Sequence, residues 1–368
     1  MPNRIIINGC FLQHNPTGVQ RYAWEVTKRL LQLQVDAYIV TPENLQISQY
    51  YGRIPQASLL KWGTMPVRLW EQIVLPRMLE KGDVLWTPAG LGPLYGVRRH
   101  LLTIHDISVI EHPEWFSKNY ARFYKFLQPI AIRDAARIIT VSQYSSSRLQ
   151  QCLNVPASKI DISLNAADEI FTSEPSSKDS DVILKYKLPE KYLLAVGSLE
   201  PRKNLVRLIE AYQSIRTEIP DVTLVLVGEA RSIYGDSNLN PNLYANVIFT
   251  GYVPSEHLPD LYRGALAFAY PSIYEGFGIP PLEAMACGLP VLTSNSTSLP
   301  EVVGDAALLV NPENVKEIAN GLLRLVCDDD LREDLQQKGL ERAQMFSWKN
   351  TTQAVLNALG KVCNEILP

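Results

Sequence analysis

The sequence has little cysteine, and its cysteines lack the spacing that metal sites and disulfide frameworks need. Five cysteines are spread over 368 residues, and no Cys-x-x-Cys pair occurs among them. An odd number at wide spacing argues against both a disulfide framework and a zinc site. We therefore expect a protein of a reducing compartment, which means the cytoplasm.

An excess of positive charge and long apolar runs near the N-terminus are also absent. Lys and Arg number 35 and Asp and Glu number 38, so the net charge of -3 suggests no nucleic-acid partner. The first apolar run is Ile5 to Ile7, which is too short for a signal-peptide core or a membrane span. We expect neither a secretory signal nor an integral membrane protein.

The chain has instead a regular alternation of short apolar runs and longer helical patterns. This alternation is typical of βαβ units built around a parallel sheet, and 368 residues exceed what one hydrophobic core normally serves. The sequence therefore predicts an α/β fold with two facing Rossmann-like domains, each with a parallel sheet. The predicted strands are 4–8, 37–41, 84–87, 100–105, 137–141, 192–196, 223–227, 247–250, 267–270 and 291–293.

Composition marks the boundary between the two halves. Residues 171–190 are rich in serine, proline and charge and are predicted to form a linker. The predicted N-terminal domain is then 1–170 and the predicted C-terminal domain is 191–345, with a helical pattern at 346–368. Because parallel sheets bind ligands beyond the carboxyl ends of their strands, the strand-end loops of both halves are expected to line the site.

One strand-end loop of the second half carries two adjacent cations. Arg202 and Lys203 come just before a helical pattern that starts near Leu205. The helix dipole disfavours positive charge at this end, and an anionic ligand such as a diphosphate would remove the conflict. A solvated basic loop is the alternative interpretation.

The stretch YEGFGIPPLEAM holds two glutamates, Glu275 and Glu283, at a strand-to-helix junction. The helix is predicted to begin at Pro280 or Pro281, which puts Glu283 in its first turn. The helix dipole alone would favour a carboxylate there. Glu275 lies in the loop before the helix and has no such explanation.

The glycines of this loop are expected to turn the backbone N–H groups of Phe277, Gly278 and Ile279 towards a ligand. Carboxylates accept hydrogen bonds in pairs, which suits the vicinal diols of a ribose or a hexose. Two such glutamates, with the cations of the preceding loop, describe a site for a nucleotide diphosphate sugar. The alternative is the carboxylate pair of a glycosidase, which needs no diphosphate-binding cations.

Two loops of the first half carry further candidates. His105 directly follows a predicted strand and is placed to donate to a substrate hydroxyl or carbonyl, with Asp106 orienting it. Gly18 precedes a helical pattern, where backbone N–H groups can approach an anion. A structural histidine and an ordinary turn are the alternatives at these two positions.

Together these motifs resemble those of the retaining glycosyltransferases of family 4, which have the GT-B fold. The resemblance rests on EGFGIPPLE, with two glutamates separated by seven residues, on VGSLEPRKNL, and on TIHDIS. The segments ITVSQYSSSRL, ISLNAADEIF and MACGLPVLTSNSTSLPEVVGDAALLVNP are also similar to those of the family. The resemblance covers essentially the whole chain.

The resemblance implies a role for each candidate. Glu283 would bind the nucleotide ribose, and Glu275 would bind hydroxyls of the transferred sugar. Arg202 and Lys203 would neutralise the leaving diphosphate. His105 would contact the sugar near the reacting carbon.

Other implications concern the loops and the domains. Gly18 would let the N-terminal loop approach phosphate or acceptor. Ser198 stands where many relatives have arginine, so Arg202 is expected to take over that contact. The C-terminal helix would cross back to the N-terminal domain, which would bind the acceptor. No metal or other cofactor is expected, because the Asp-x-Asp match at 328–330 is predicted to cap a helix.

The implied reaction is transfer of a hexose from a nucleotide diphosphate sugar to a hydroxyl of a growing saccharide or a lipid-linked acceptor, with retention of configuration. A UDP-hexose such as UDP-glucose is the favoured donor, and GDP-mannose and dTDP-rhamnose are alternatives. A nucleotide-sugar epimerase and a non-catalytic nucleotide-sugar-binding protein are alternatives of other classes. Amphipathic, partly basic patterns at 67–82 and 114–137 suit either peripheral contact with the inner face of the plasma membrane or packing on the domain.

Overall fold

The structure is a computed structural model that describes residues 4–15, 17–33, 35–177, 179–229 and 244–364. The described residues form two compact units, each with one sheet. The first unit takes its residues from 1–110, 122–165 and 348–368, and the second from 111–121 and 166–347. The parallel sheets confirm the α/β fold class expected from the sequence.

The first unit has a sheet whose strands are all parallel to their neighbours. Its strands are β1 (Ile5–Asn8), β2 (Ala37–Thr41), β3 (Leu59–Lys61), β4 (Val84–Thr87), β5 (His100–Thr103), β6 (Arg137–Thr140) and β7 (Ile160–Ile162). Their order is β3-β2-β1-β4-β5-β6-β7. The central strands β1, β4, β5 and β6 are buried along their whole length, as expected for a sheet covered on both faces.

Helices cover this sheet. They are α1 (Gly18–Gln32), α2 (Val67–Ile73), α3 (Leu75–Met78), α4 (Ser108–Glu111), α5 (Lys118–Asp134), α6 (Gln143–Leu153) and the last described helix, Trp348–Asn364. The last helix packs on α1 and on the central strands of the first sheet. Its Thr351 donates to the carbonyl oxygen of Leu164, and that carbonyl belongs to the same unit.

The second unit repeats the same topology. Its strands are β8 (Tyr192–Val196), β9 (Thr223–Val227), β10 (Val247–Gly251), β11 (Ala267–Tyr270), β12 (Val291–Ser294) and β13 (Leu308–Val310), in the order β10-β9-β8-β11-β12-β13. Its helices are α7 (Asp179–Lys185), α8 (Leu205–Ile215), α9 (Leu258–Gly264), α10 (Ile279–Ala286), α11 (Leu299–Val303), α12 (Val315–Cys327) and α13 (Asp329–Gln344), so the last helix above is α14. In both sheets the strand order reverses beside the first strand, which is where doubly wound folds bind ligands.

The domain boundaries differ from those predicted. The segment 171–190 contains helix α7 and belongs to the second unit, although it was expected to be a linker. The reason is an ion pair, because the guanidinium of Arg263 on α9 donates to both carboxylate oxygens of Asp179 on α7. The polar composition of this segment therefore led to the prediction of a linker, although α7 is docked on the second unit by this ion pair. Residues 111–121 also group with the second unit.

Three strands were not predicted, and all three are sheet edges. These strands, β3, β7 and β13, have only three residues each, and most of those residues are partly exposed. An edge strand pairs with another strand on one side only and is less covered than a central strand. It therefore needs no long apolar run. Among the described residues, no helix has the length and apolar character needed to cross a membrane.

Candidate functional site

Glu275 is a buried carboxylate in the loop that follows β11, and it accepts hydrogen bonds from four side chains. Its Oε1 accepts from Lys203 Nζ at 2.6 Å, from Tyr270 Oη at 2.8 Å and from Ser272 Oγ at 2.8 Å. Its Oε2 accepts from Arg202 Nη1 at 3.3 Å. The structure therefore brings together three of the residues that the sequence singled out.

The two cations lie in a short 3-10 turn, Pro201–Lys203, between β8 and α8. The backbone carbonyl of Arg202 accepts from Ile273 N at 2.8 Å and from Ser272 Oγ at 2.9 Å. These bonds tie the turn after β8 to the loop after β11. The neighbouring strands β8 and β11 therefore place the cations and Glu275 at one edge of the sheet.

A second carboxylate, Glu200, was not singled out from the sequence. Its Oε1 lies 3.1 Å from Arg202 Nη2 and 3.9 Å from Lys203 Nζ, and it also accepts from Ser198 Oγ at 3.0 Å. Two carboxylates thus compensate two cations without a ligand. The protein itself therefore compensates the positive charge that the helix dipole disfavours. The sequence feature that indicates this compensation is the glutamate of the LEPRK stretch, Glu200.

The cations also decide the ionisation of Glu275. Burial on its own would raise the pKa of this carboxyl, but Lys203 and Arg202 outweigh burial and lower the pKa to about 2. Burial and the charge of Glu275 raise the pKa of Tyr270 well above its ordinary value. At neutral pH Glu275 is therefore ionised, and Tyr270 keeps the proton that it donates.

The position predicted for Glu283 in its helix is wrong. Helix α10 begins at Ile279, so Glu283 is its fifth residue and lies beyond the first turn. The helix dipole acts mainly within the first turn, so it does not explain a glutamate here. Glu283 is only 3% exposed, and its Oε2 accepts from Tyr262 Oη at 3.1 Å.

The loop between the two glutamates is held by its carbonyl groups. Ser298 Oγ donates to the carbonyl oxygens of Glu275 at 2.9 Å and Phe277 at 2.8 Å. Gly278 has a φ of 108°, and a Cβ there would lie 2.7 Å from a methyl group of Leu299, so only glycine fits. Within the described part of the chain, the amides of Phe277, Gly278 and Ile279 donate no hydrogen bond, which leaves them available to a ligand.

In the first unit, His105 follows β5 and packs edge-on against Tyr22 of α1, with ring centres 5.0 Å apart. Its Nε2 is 3.1 Å from the carbonyl oxygen of Pro88. A carbonyl only accepts, so Nε2 carries the proton and Nδ1 is the acceptor. Burial lowers the pKa of His105, which keeps the ring neutral.

This geometry corrects two expectations. The His105 N–H is already used by Pro88, so a ligand meets the acceptor nitrogen and not a donor. Asp106 does not orient the ring, because its Oδ1 accepts from Ser108 N at 2.9 Å and from Ser108 Oγ at 2.6 Å. Gly18 is exposed and begins α1, one turn before Tyr22.

Residues that sequence reasoning missed include an aromatic cluster beside the Glu275 loop. Tyr274 Oη donates to Glu111 Oε2 at 2.8 Å, and the Tyr274 ring lies edge-on to His112 and Trp115, which stack on each other. These residues all belong to the second unit. No sequence motif marked this segment as part of a site.

Among the described residues, no group of three or more His, Cys, Asp or Glu side chains is arranged to hold a metal ion. Asp328 accepts from Leu331 N at 2.9 Å and caps α13, as its sequence context predicted. Metal independence stays a prediction, and the cations at the site give it a physical basis.

The fold and the loops at the strand ends define a class of protein, the glycosyltransferases with the GT-B fold. Residues 16–169 match the family model "Glycosyltransferase Family 4", and residues 177–342 match "Glycosyl transferases group 1". The chain is 38% identical over 267 residues to "O-antigen chain mannosyltransferase B" of Escherichia coli. The match covers 71% of this chain and 70% of that protein. The chain belongs to this glycosyltransferase family, and the resemblance inferred from its motifs is confirmed.

Two further comparisons differ in what they cover. "Serotype-specific mannosyltransferase WbdA" of Escherichia coli is 29% identical over 276 residues, which are 70% of this chain but 33% of that longer protein. The crystal structure of Anabaena Alr3699/HepE in complex with UDP and glucose superimposes with a TM-score of 0.75, covering 98% of this chain and 100% of that one. At 20% identity this likeness shows the fold alone.

Proposed function

We propose that the chain transfers mannose from GDP-mannose to a growing saccharide in polysaccharide biosynthesis, with retention of anomeric configuration. The identity of the sugar rests on one observation, the 38% identity to an O-antigen mannosyltransferase over 71% of this chain. The preference for a UDP-hexose drawn from the sequence is supported only by likeness of fold to solved structures, such as one in complex with UDP and glucose that is 20% identical to this chain. A UDP-hexose therefore becomes the second candidate, and the first experiment compares the two.

The second unit would bind the donor. Glu283 would accept from the ribose hydroxyls, and the amides of Phe277, Gly278 and Ile279 would donate to phosphate or sugar oxygens. Their availability within the described residues supports this role. Ser198 would act indirectly, because its hydroxyl holds Glu200.

Glu275 would have two functions. It keeps the two cations in place before the donor arrives, which is the preorganisation that makes electrostatic catalysis effective. It would also accept from a hydroxyl of the transferred sugar through Oε2, which has only the longer contact to Arg202, at 3.3 Å. Oε1 already accepts three hydrogen bonds and has no room for a ligand.

Arg202 and Lys203 would share the leaving diphosphate unequally. Lys203 has three N–H donors, of which two are used by Tyr270 and Glu275, so one is left for a phosphate oxygen. Arg202 holds its two carboxylates at the longer distances of 3.1 and 3.3 Å and has 15% of its side chain exposed. Arg202 is therefore the cation that can turn towards the ligand with the smaller loss of interaction energy.

The chemical step would proceed on one face of the sugar. The bond from the anomeric carbon to the diphosphate oxygen breaks, the acceptor oxygen bonds to that carbon, and the acceptor proton passes to the leaving phosphate oxygen. A covalent intermediate on Glu275 is disfavoured, because a carboxylate with a pKa of about 2 and hydrogen bonds at both oxygens is a weak nucleophile. His105 would stay neutral and accept from a sugar hydroxyl through Nδ1.

The decisive experiment incubates the purified protein with GDP-mannose, UDP-glucose or dTDP-rhamnose, each with and without a mannose oligosaccharide. We expect release of GDP only when GDP-mannose and the oligosaccharide are both present. Release without acceptor would indicate hydrolysis, and turnover of UDP-glucose alone would replace the mannose proposal by the second candidate. Binding of nucleotide without any turnover would indicate a binding protein.

Two properties of the reaction need their own measurements. Retention is tested by NMR of the product, where an inverted anomeric proton would contradict the same-face mechanism. Metal independence is tested with EDTA. We expect an unchanged rate, because Arg202 and Lys203 supply the charge that a divalent cation supplies in other transferases.

The acceptor side would lie near a membrane. The first unit exposes Phe126 on α5, Trp62 before α2 and Leu69 on α2, with 70%, 62% and 53% of their surfaces accessible. Cations accompany them, and Arg68 on α2 stacks over Phe123 of α5 at 4.3 Å, which joins the two helices into one surface. An apolar surface with a cation beside it suits the anionic inner face of the plasma membrane.

Liposome sedimentation tests this surface. Wild-type protein should bind vesicles with anionic lipid more strongly than neutral vesicles, and a Trp62→Ser/Phe126→Ser variant should lose that binding. Leu184→Ser is the matched control, because Leu184 is 74% exposed but lies in the second unit. Equal sedimentation of the double variant and the control would refute the membrane contact.

A further inference from the structure

A carboxylate at the strand-end edge of the first sheet is marked by none of the motifs. Glu71 on α2 points its Oε1 at Asn8, the last residue of β1, and accepts from Asn8 Nδ2 at 2.7 Å. Asn8 is 1% exposed, and its own Oδ1 accepts from Cys10 N at 3.2 Å. The side-chain amide is therefore fixed in one orientation, with its donor towards Glu71.

Helix α2 also borders the next strand end. Gln72, the neighbour of Glu71, donates through Nε2 to the carbonyl oxygen of Gly92 at 2.7 Å and accepts from Leu94 N at 2.8 Å. Gly92 and Leu94 lie in the loop that follows β4. Glu71 is thus held beside the loops after β1 and β4, the two neighbouring strands at which the order of the first sheet reverses.

Glu71 is poorly compensated for a carboxylate in such a place. Its Oε2 has no hydrogen-bond partner in the described ranges, and its side chain keeps a part of its surface exposed. Arg68, one turn earlier on the same helix, is exposed and acts on it only at a distance. Burial raises the pKa of Glu71 to about 7, against smaller opposing effects of Asn8 and Arg68.

A structural role alone does not account for these features. Glutamine would also accept from Asn8 and would anchor α2 to β1 without placing a carboxylate in a desolvated position. A glutamate adds a second acceptor oxygen and, when ionised, a stronger hydrogen bond. Both properties are useful when something outside the chain donates to that oxygen.

We propose that Oε2 of Glu71 binds a hydroxyl group of the acceptor saccharide, as a specificity-determining residue of the first unit. The inference rests on the proposed function, since it needs a hydroxyl-rich acceptor at this edge of the sheet. The ligand is a neutral sugar, because a hydroxyl donates to a carboxylate while a phosphate would be repelled by it. Asn8 orients the carboxylate and is a positioning residue.

The test is Glu71→Gln, which keeps the acceptor for Asn8 and removes the charge. We expect the KM for a mannose oligosaccharide to rise roughly tenfold, the usual effect of losing a charged hydrogen bond. The KM for the donor should not change, and the Tm should not fall, because glutamine keeps the bond to Asn8 and removes a desolvated charge. Glu43→Gln is the matched control, because Glu43 is an exposed glutamate of the same unit.

A pH profile separates the proposal from a structural role. The acceptor KM of the wild type should rise as the pH falls below about 7, where Glu71 takes up a proton, and Glu71→Gln should remove this dependence. The groups that act on Glu71 are Arg68 and the thiol of Cys10, and burial raises the pKa of Cys10 so far that it does not titrate in this range. A profile identical in both proteins would overturn the proposal.

Calorimetric binding of the oligosaccharide without donor gives a readout that does not depend on turnover. Binding lost in Glu71→Gln, with GDP binding retained, supports the inference. Equal binding by the variant and the wild type, or no binding by the wild type, overturns it. Intact oligosaccharide binding without turnover of any donor would count against the proposed function and not against Glu71.

Discussion

The strand-end edges of the two sheets carry carboxylates in opposite electrostatic situations. In the second unit, Glu275 lies between Lys203 and Arg202, which lower its pKa to about 2. In the first unit, Glu71 has one amide partner, and burial raises its pKa to about 7. A glutamate near the carboxyl ends of the central strands thus stays ionised at neutral pH in the second unit and titrates near neutral pH in the first.

Under the proposed function, this difference would suit each strand-end edge to its own ligand. A diphosphate develops negative charge when it leaves, so its site needs cations that are held in place before the reaction. An acceptor sugar is neutral and needs only well-oriented acceptors and donors. The ion pairs around Glu275 and the single amide partner of Glu71 would suit these two demands.

The comparison would break most clearly if Glu275 were dispensable. Glu275→Gln should reduce kcat/KM at least about 100-fold, because the cations lose their anchor. It should also destabilise the fold by roughly 3 kcal/mol or more, since it leaves buried positive charge uncompensated. Steady-state kinetics and thermal unfolding measure the two effects.

Glu218→Gln serves as the control for that variant, because Glu218 is an exposed glutamate of the second unit. It should leave both quantities unchanged. Full activity of Glu275→Gln with a wild-type Tm would show that Glu200 alone organises the cations.

Arg202 and Lys203 should separate catalysis from stability. Arg202→Ala is expected to lower kcat/KM about 100-fold and to lower the Tm less than loss of Lys203 does, because its contacts to the two carboxylates, at 3.1 and 3.3 Å, are longer than the 2.6 Å contact of Lys203. Lys203→Met should lower the Tm by the larger amount, since it removes the closest partner of Glu275. Kinetics and calorimetry on both variants decide, and identical profiles would contradict the unequal roles.

The sequence predicted the central strands because they are buried on both faces and are therefore apolar throughout. It missed β3, β7 and β13, because edge strands need no such run. It also took 171–190 for a linker, because an ion pair between Asp179 and Arg263 across more than eighty residues has no local sign. Local patterns thus predicted the central strands, whereas the edge strands and the docking of α7 depend on tertiary contacts.

The candidate site was predictable to a similar degree. Glycines, cations and glutamates at fixed spacing marked the loops after β8 and β11, and the structure joins them through Glu275. The role of Glu200 was not predictable, because its contact with Arg202 depends on the direction of its side chain. Glu71 escaped because it lies on a helix remote from β1 in sequence and meets Asn8 only through the fold.

Glu283 sharpens the comparison within the second unit. If it binds ribose, Glu283→Gln should weaken GDP binding roughly tenfold, by loss of charged hydrogen bonds. Tyr262→Phe should cost only about 1 kcal/mol of stability, because it removes one hydroxyl that donates to Glu283. Calorimetric titration with GDP tests the first effect, and unchanged affinity would assign Glu283 to packing alone.

His105 gives the smallest expected effect. It tests whether the His105 ring is neutral in the folded protein. Because burial lowers its pKa, the unfolded chain takes up the proton first, so stability is lost as pH falls through the ordinary range near 6.5. Between pH 7 and pH 6 this loss should stay below about 1 kcal/mol and should disappear in His105→Asn. Unfolding free energies of both proteins at the two pH values measure it, and an equal loss in the variant would show that His105 is already protonated or indifferent in the folded state.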